Sequence, residues 1–75
     1  MKLKLHEAIA VVLLNAENRT ATIHEIAQEI NRRQIYRRKD EASLPPYQVM
    51  MRAKLSKGKY ANWFEWKEPD IVRLK

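Results

Sequence analysis

A mostly helical α+β fold, three helices followed by a two-stranded β-hairpin, is predicted by three features of this 75-residue sequence. Apolar residues recur at helical spacing through the first half, a capping box opens the second helical stretch, and aromatic and aliphatic residues near the end alternate around a proline turn. One domain over residues 1–75 is expected, because a second core would bury too little apolar surface to offset the entropy of ordering it.

The first helix is read from residues 4 to 17, where Leu5, Ala8, Ile9, Val12, Leu13 and Ala16 return every three or four positions and line one face. A polar break at Asn18–Ala21 follows. Thr22, with Glu25 three residues on, can satisfy the unpaired amides that open a second helix over 23–33, whose apolar face is Ile23, Ile26, Ala27 and Ile30. Residues 36–44 carry charge without apolar periodicity and predict an exposed basic loop. Pro45 and Pro46 then suit the first turn of a third helix over 45–57, and Gly58 supplies its stop. In this helix Val49, Met50 and Ala53 share a side, Met51 and Leu55 point elsewhere, and Gln48, Arg52 and Ser56 make a narrow polar wedge. The hairpin is read over 60–74, with Trp63, Phe64 and Trp66 before a turn at Lys67–Asp70 and Ile71–Leu74 after it. Phe64 and one tryptophan are expected to be buried, the other partly exposed. Three helices and a hairpin wing are the layout of a winged helix-turn-helix, in which the third helix enters the major groove and the wing touches flanking backbone.

Charge is distributed unevenly. Arg32 to Lys59 holds nine lysines and arginines against Asp40 and Glu41, a net of +7 within a chain of net charge +6. Residues 1–31 carry three bases and four acids, and residues 61–75 carry three of each. A positive block around the third helix attracts a polyanion, and nucleic acid is the natural one. Arg37, Arg38, Lys39, Lys54, Lys57 and Lys59 are the candidate phosphate contacts; six such contacts predict a log–log salt slope of roughly −5. Gln48 and Arg52, one turn apart, are residue types that make paired hydrogen bonds to adenine and guanine edges, and they are the candidate base readers. The duller readings are a solvated basic surface, Arg52 paired with Asp40 or Glu41, and Gln48 solvated at the helix start.

Other chemistry finds little footing. Cysteine is absent, which removes disulfides, thiolate ligands and thiol nucleophiles and suits a reducing interior. His6 and His24 with Glu7, Glu25 and Glu29 lack metal-site spacing, and no catalytic or cofactor motif is present, so the expectation is no enzyme, no cofactor, no metal and no small-molecule substrate. No stretch suits a membrane span or a signal peptide, and a cytoplasmic protein, nucleoid-associated if bacterial, is expected.

Several segments, taken in order, resemble the HARE helix-turn-helix family of small winged helices. They are Leu5-His6-Glu7-Ala8-Ile9; Ile23-His24-Glu25-Ile26-Ala27 with Ile30; Ile35-Tyr36-Arg37-Arg38-Lys39-Asp40; Pro45-Pro46-Tyr47-Gln48-Val49 leading to Arg52; and Phe64-Glu65 with Ile71-Val72-Arg73-Leu74. Asp40-Glu41-Ala42 and Met50-Met51 differ from the family's usual glycine-containing loop and smaller helix residues. The resemblance implies a DNA-binding adaptor of the kind fused to restriction endonucleases, present in chromatin proteins similar to additional sex combs, and present in the delta subunit of bacterial RNA polymerase. The expected partner is double-stranded DNA, with the module in or beside a larger DNA-processing, restriction or transcription protein. The alternative is a protein-interaction module docking through Tyr47, Met50 and Met51, in which case two of these should be exposed side by side near basic residues.

Overall fold

A computed structural model describes residues 3–40, 42–54, 60 and 62–75. Helix α1 spans Leu5–Leu14, a single 3₁₀ turn Glu17–Arg19, strand β1 Thr20–Thr22, helix α2 Ile23–Arg33, helix α3 Pro46–Lys54, and strands β2 and β3 Phe64–Lys67 and Ile71–Leu74. The architecture is α+β, with three helices and a three-stranded antiparallel sheet in the order β1-β3-β2.

The expected apolar face of α1 is buried through Leu5, Ala8, Ile9, Val12 and Leu13. Its opening amide is satisfied locally, the Lys4 N–H donating to Glu7 Oε1 at 2.9 Å. The helix ends at Leu14, short of the expected residue 17, and Asn15 Nδ2 donates back to the Val11 carbonyl at 3.1 Å. Asn18 and Arg19 then adopt φ of 56° and 54°, and this left-handed pair turns the chain sharply into β1. Such a backbone is tolerated by asparagine and costs arginine about 1 kcal/mol.

The capping box forms as expected: Glu25 N–H donates to Thr22 Oγ1 at 3.1 Å, and Thr22 N–H to Glu25 Oε1 at 2.9 Å. Thr22 closes β1 and caps α2 at once. Helix α2 buries Ile23, Ile26, Ala27 and Ile30 and ends in a left-handed Gln34, whose N–H reaches the Ile30 carbonyl at 2.9 Å.

Where the sequence predicts two strands, the described residues form three. Thr20, Ala21 and Thr22 pair with Arg73, Val72 and Ile71, so the stretch read as a polar break is an edge strand and β3 is the central one. The period-2 alternation of strands sorts the sheet's residues into two faces. Phe64 and Val72 lie in the core with Trp66, Leu74 and Ala21 packed against it, while Thr20, Arg73 and Glu65 stand abreast on the outer face and Lys67 follows along the same side. Phe64 is buried, Trp66 half-buried and Trp63 is 39% exposed. A single cluster that includes Ile9, Leu13, Ile26, Ile30, Val49 and Val72 joins all three helices to the sheet.

Candidate functional site

Helix α3 begins at Pro46, where the Gln48 N–H donates to the Pro45 carbonyl at 3.1 Å, and it is anchored by fully buried Val49. The segment before it is held more tightly than an exposed loop would be. Leu44 is buried, and Asn31 on α2 grips its backbone from both sides: Asn31 Nδ2 donates to the Leu44 carbonyl at 3.0 Å, and the Leu44 N–H to Asn31 Oδ1 at 2.8 Å. A side-chain amide has one donor end and one acceptor end to offer, and here both are matched to the N–H and C=O of a single residue. Asn31 fixes where the basic loop enters α3.

The mid-chain cations meet different fates. Arg32 and Arg33 both close on Glu29, at 2.7 and 3.0 Å. Those guanidiniums, led by the Arg32 hydrogen bond, hold the Glu29 carboxyl below its ordinary value, and Arg32 is raised in return. Arg38 pairs with Asp40 at 3.3 Å and donates to the Ser43 carbonyl at 3.2 Å, so it staples the loop to itself. Arg37 and Lys39 are exposed on that loop, and Lys39 makes no ion pair among the described residues. Lys54, at the end of the described helix, reaches Glu68 in the hairpin turn at 3.1 Å and lies 5.0 Å above the Trp66 ring. Lys57 and Lys59, with the stop expected at Gly58, lie outside the described residues.

Lys54 and, after it, the indole N–H of Trp66 keep the Glu68 carboxyl below its ordinary value. The indole contact falls short of hydrogen-bond geometry, leaving the buried Trp66 Nε1 without a proper acceptor. Lys54 therefore fastens α3 to the β2–β3 hairpin.

The two candidate base readers sit one turn apart, as expected, and serve different neighbours. Gln48 is half-buried and lines a small open hollow with Tyr36, Arg38, Lys39 and Asp40. The Arg52 guanidinium lies 5.5 Å over the Tyr60 ring, and the Asp40 carboxylate is paired with Arg38. Tyr60 in turn stacks on His6 at 4.2 Å, and His6 meets the edge of Trp63 at 5.1 Å. No family model, curated protein or solved structure matches this chain. Its own residues carry the functional argument.

Tyr47 and Met51 are one turn apart on α3 and 56% and 41% exposed, whereas Met50 packs against the core. Side chains four residues apart on a helix are neighbours, so the pair forms one apolar strip beside Lys54. Sequence reasoning missed Asn31, since nothing local marks a polar residue at the end of α2 as a clamp, and it missed the aromatic train of His6, Tyr60 and Trp63, which spans both ends of the chain. Among the described residues no group of His, Asp and Glu side chains could hold a metal ion; His24 faces Asp70 at 3.8 Å. No helix of the described residues is long and apolar enough to cross a membrane.

Proposed function

We propose that this chain is a winged helix-turn-helix module that binds double-stranded DNA without catalysis, as an adaptor in or beside a larger DNA-processing, restriction or transcription protein, in the manner of the HARE family it resembles. The observation that carries the reading is the surplus of charge around α3. From Arg32 to Lys59 the sequence sets nine lysines and arginines against Asp40 and Glu41, and among the described residues Glu29, Asp40 and Glu68 pair with Arg32, Arg33, Arg38 and Lys54. The element order and the sheet order β1-β3-β2 are compatible with a winged helix and put a helix and a hairpin wing side by side. Exposed ion pairs contribute little, so Arg38 and Lys54 can exchange their carboxylates for phosphates at small cost. Arg37, Arg38, Lys39 and Lys54, with Lys57 and Lys59, would hold the backbone, and Gln48 and Arg52 would supply sequence preference after Arg52 leaves Tyr60.

Fluorescence anisotropy with a mixed-sequence duplex across a salt series tests this. Binding that weakens steeply with salt is expected, with a log–log slope of up to roughly −5 for six phosphates. No binding at low salt, or a flat response, rejects the reading.

The exposed strip of Tyr47 and Met51 favours a second reading, in which α3 docks on a protein whose apolar groove is rimmed by acidic residues. Tyr47→Ser with Met51→Ser separates the two. If duplex binding survives these changes with its salt slope intact, the strip is reserved for protein contact; if it is lost, α3 lies against the DNA.

A further inference from the structure

Residues 61–75 are electrically neutral as a sequence, with Lys67, Arg73 and Lys75 against Glu65, Glu68 and Asp70, and the fold separates the two signs. Glu68 is drawn to Lys54 at 3.1 Å and Asp70 faces His24 at 3.8 Å. Only Glu65 stays among the cations, paired across the strands with Arg73 at 3.1 Å. The left-handed turn at Asn18 and Arg19 delivers one more cation to the same place, because β1 runs beside β3 with Thr20 opposite Arg73.

The result is an open polar groove of about 570 Å³ lined by Arg19, Lys67, Arg73 and Lys75, with Asn18 and Thr20 between them and no acidic side chain in its wall. None of its residues belongs to α3 or to the basic loop. Arginine and lysine side chains are donors only, so the ligand must supply acceptors and negative charge. So open a groove suits a chain of regularly spaced anions held at several points better than a compact molecule, which would leave most of its surface in water.

We propose that this outer face of the sheet is a second phosphate-binding surface that takes the backbone of a nucleic-acid strand, with Arg19 and Lys67 as its principal contacts and Arg73 exchanging Glu65 for a phosphate. The proposal rests on the nucleic-acid reading above and adds a contact site to it. One small domain would then grip its polymer at two places, one formed by the loop and α3 and one by the outer face of the sheet.

The test compares three forms of the full chain in duplex anisotropy across a salt series: wild type, Arg19→Asn with Lys67→Gln, and Arg37→Gln with Lys39→Gln. Asparagine keeps the left-handed turn comfortable, so the first variant loses charge without straining the backbone. Lys67→Gln with Lys75→Gln, which leaves the turn untouched, repeats the test should the first variant melt early. The sheet variant is expected to bind more weakly, with a salt slope shallower by about 2, one unit per lost phosphate contact. Wild-type affinity and slope in the sheet variant, together with weakened binding by the loop variant, overturn this proposal and leave the α3 reading standing. Weakened binding by the sheet variant alone keeps the proposal and overturns the α3 reading. A wild-type chain that binds no duplex overturns both.

Discussion

Around α3 the cations are kept close by carboxylates borrowed from other elements: Glu29 on α2 serves Arg32 and Arg33, and Glu68 in the hairpin turn serves Lys54. Across the outer face of the sheet, Arg19 and Lys67 have no such attendants in the groove they line, and Glu65 alone answers Arg73. The first surface owns more cations and holds carboxylates beside several of them; the second owns fewer and has Glu65 beside Arg73. Charge density along a chain sets how many cations a region owns, but the fold decides how many carboxylates stay with them, and only the remainder is available to a polyanion.

The contrast can be broken at its common foundation. Ile30 is fully buried in the cluster beneath both α3 and the sheet. Ile30→Ala should cost about 2–5 kcal/mol in chemical denaturation, and both surfaces should fail together in one transition. Two separate transitions would show that the surfaces rest on independent cores.

A smaller change should touch only one side. Asn31→Ala removes both hydrogen bonds to Leu44 and leaves its part-buried N–H and C=O without the amide, a loss of about 1–3 kcal/mol. Amide hydrogen exchange should then speed up in residues 35–44 while β1 and β3 keep their protection. Equal loss of protection in the sheet would mean that the loop and the sheet are not separable.

The smallest effect concerns the attendant carboxylates. Glu68→Gln removes the carboxylate that Lys54 exchanges for phosphate and should tighten duplex binding by about two- to five-fold with the salt slope unchanged; unchanged affinity would mean that Lys54 does not meet phosphate. The pair also has a pH signature. The Glu68 carboxyl sits below its ordinary 4.5 in the folded chain, so its contribution to stability is present above that value and is lost as pH falls through the depressed one. Wild type and Glu68→Gln should therefore differ slightly in Tm at neutral pH and converge in acid. A difference that stays constant with pH would show that the ion pair is not its source.

Much of the fold was legible in the sequence because its signals are local. The faces of α1 and α2 follow from apolar spacing, Thr22 and Glu25 mark a helix start by their separation alone, and Phe64 and Val72 lie on the buried side that alternation requires. What escaped depends on partners distant along the chain. Thr20-Ala21-Thr22 is too short to show alternation and becomes a strand only because β3 offers it an edge. The site was legible as a list of basic residues, and less so as an arrangement. Neither the withdrawal of Arg52 onto Tyr60 nor the diversion of Glu68 and Asp70 from the sheet could be counted from composition, since each is set by tertiary neighbours.

The central place of β3 has a consequence for how the molecule is made. β1 and β2 each pair with β3 and not with one another, so neither has a strand to pair with until residues 71–74 are in place. Helices can form early and locally, but the sheet waits for the last strand, and its closure joins segments far apart along the chain. Completion of the native state is therefore a late folding event, slower than expected for a purely helical bundle of this size.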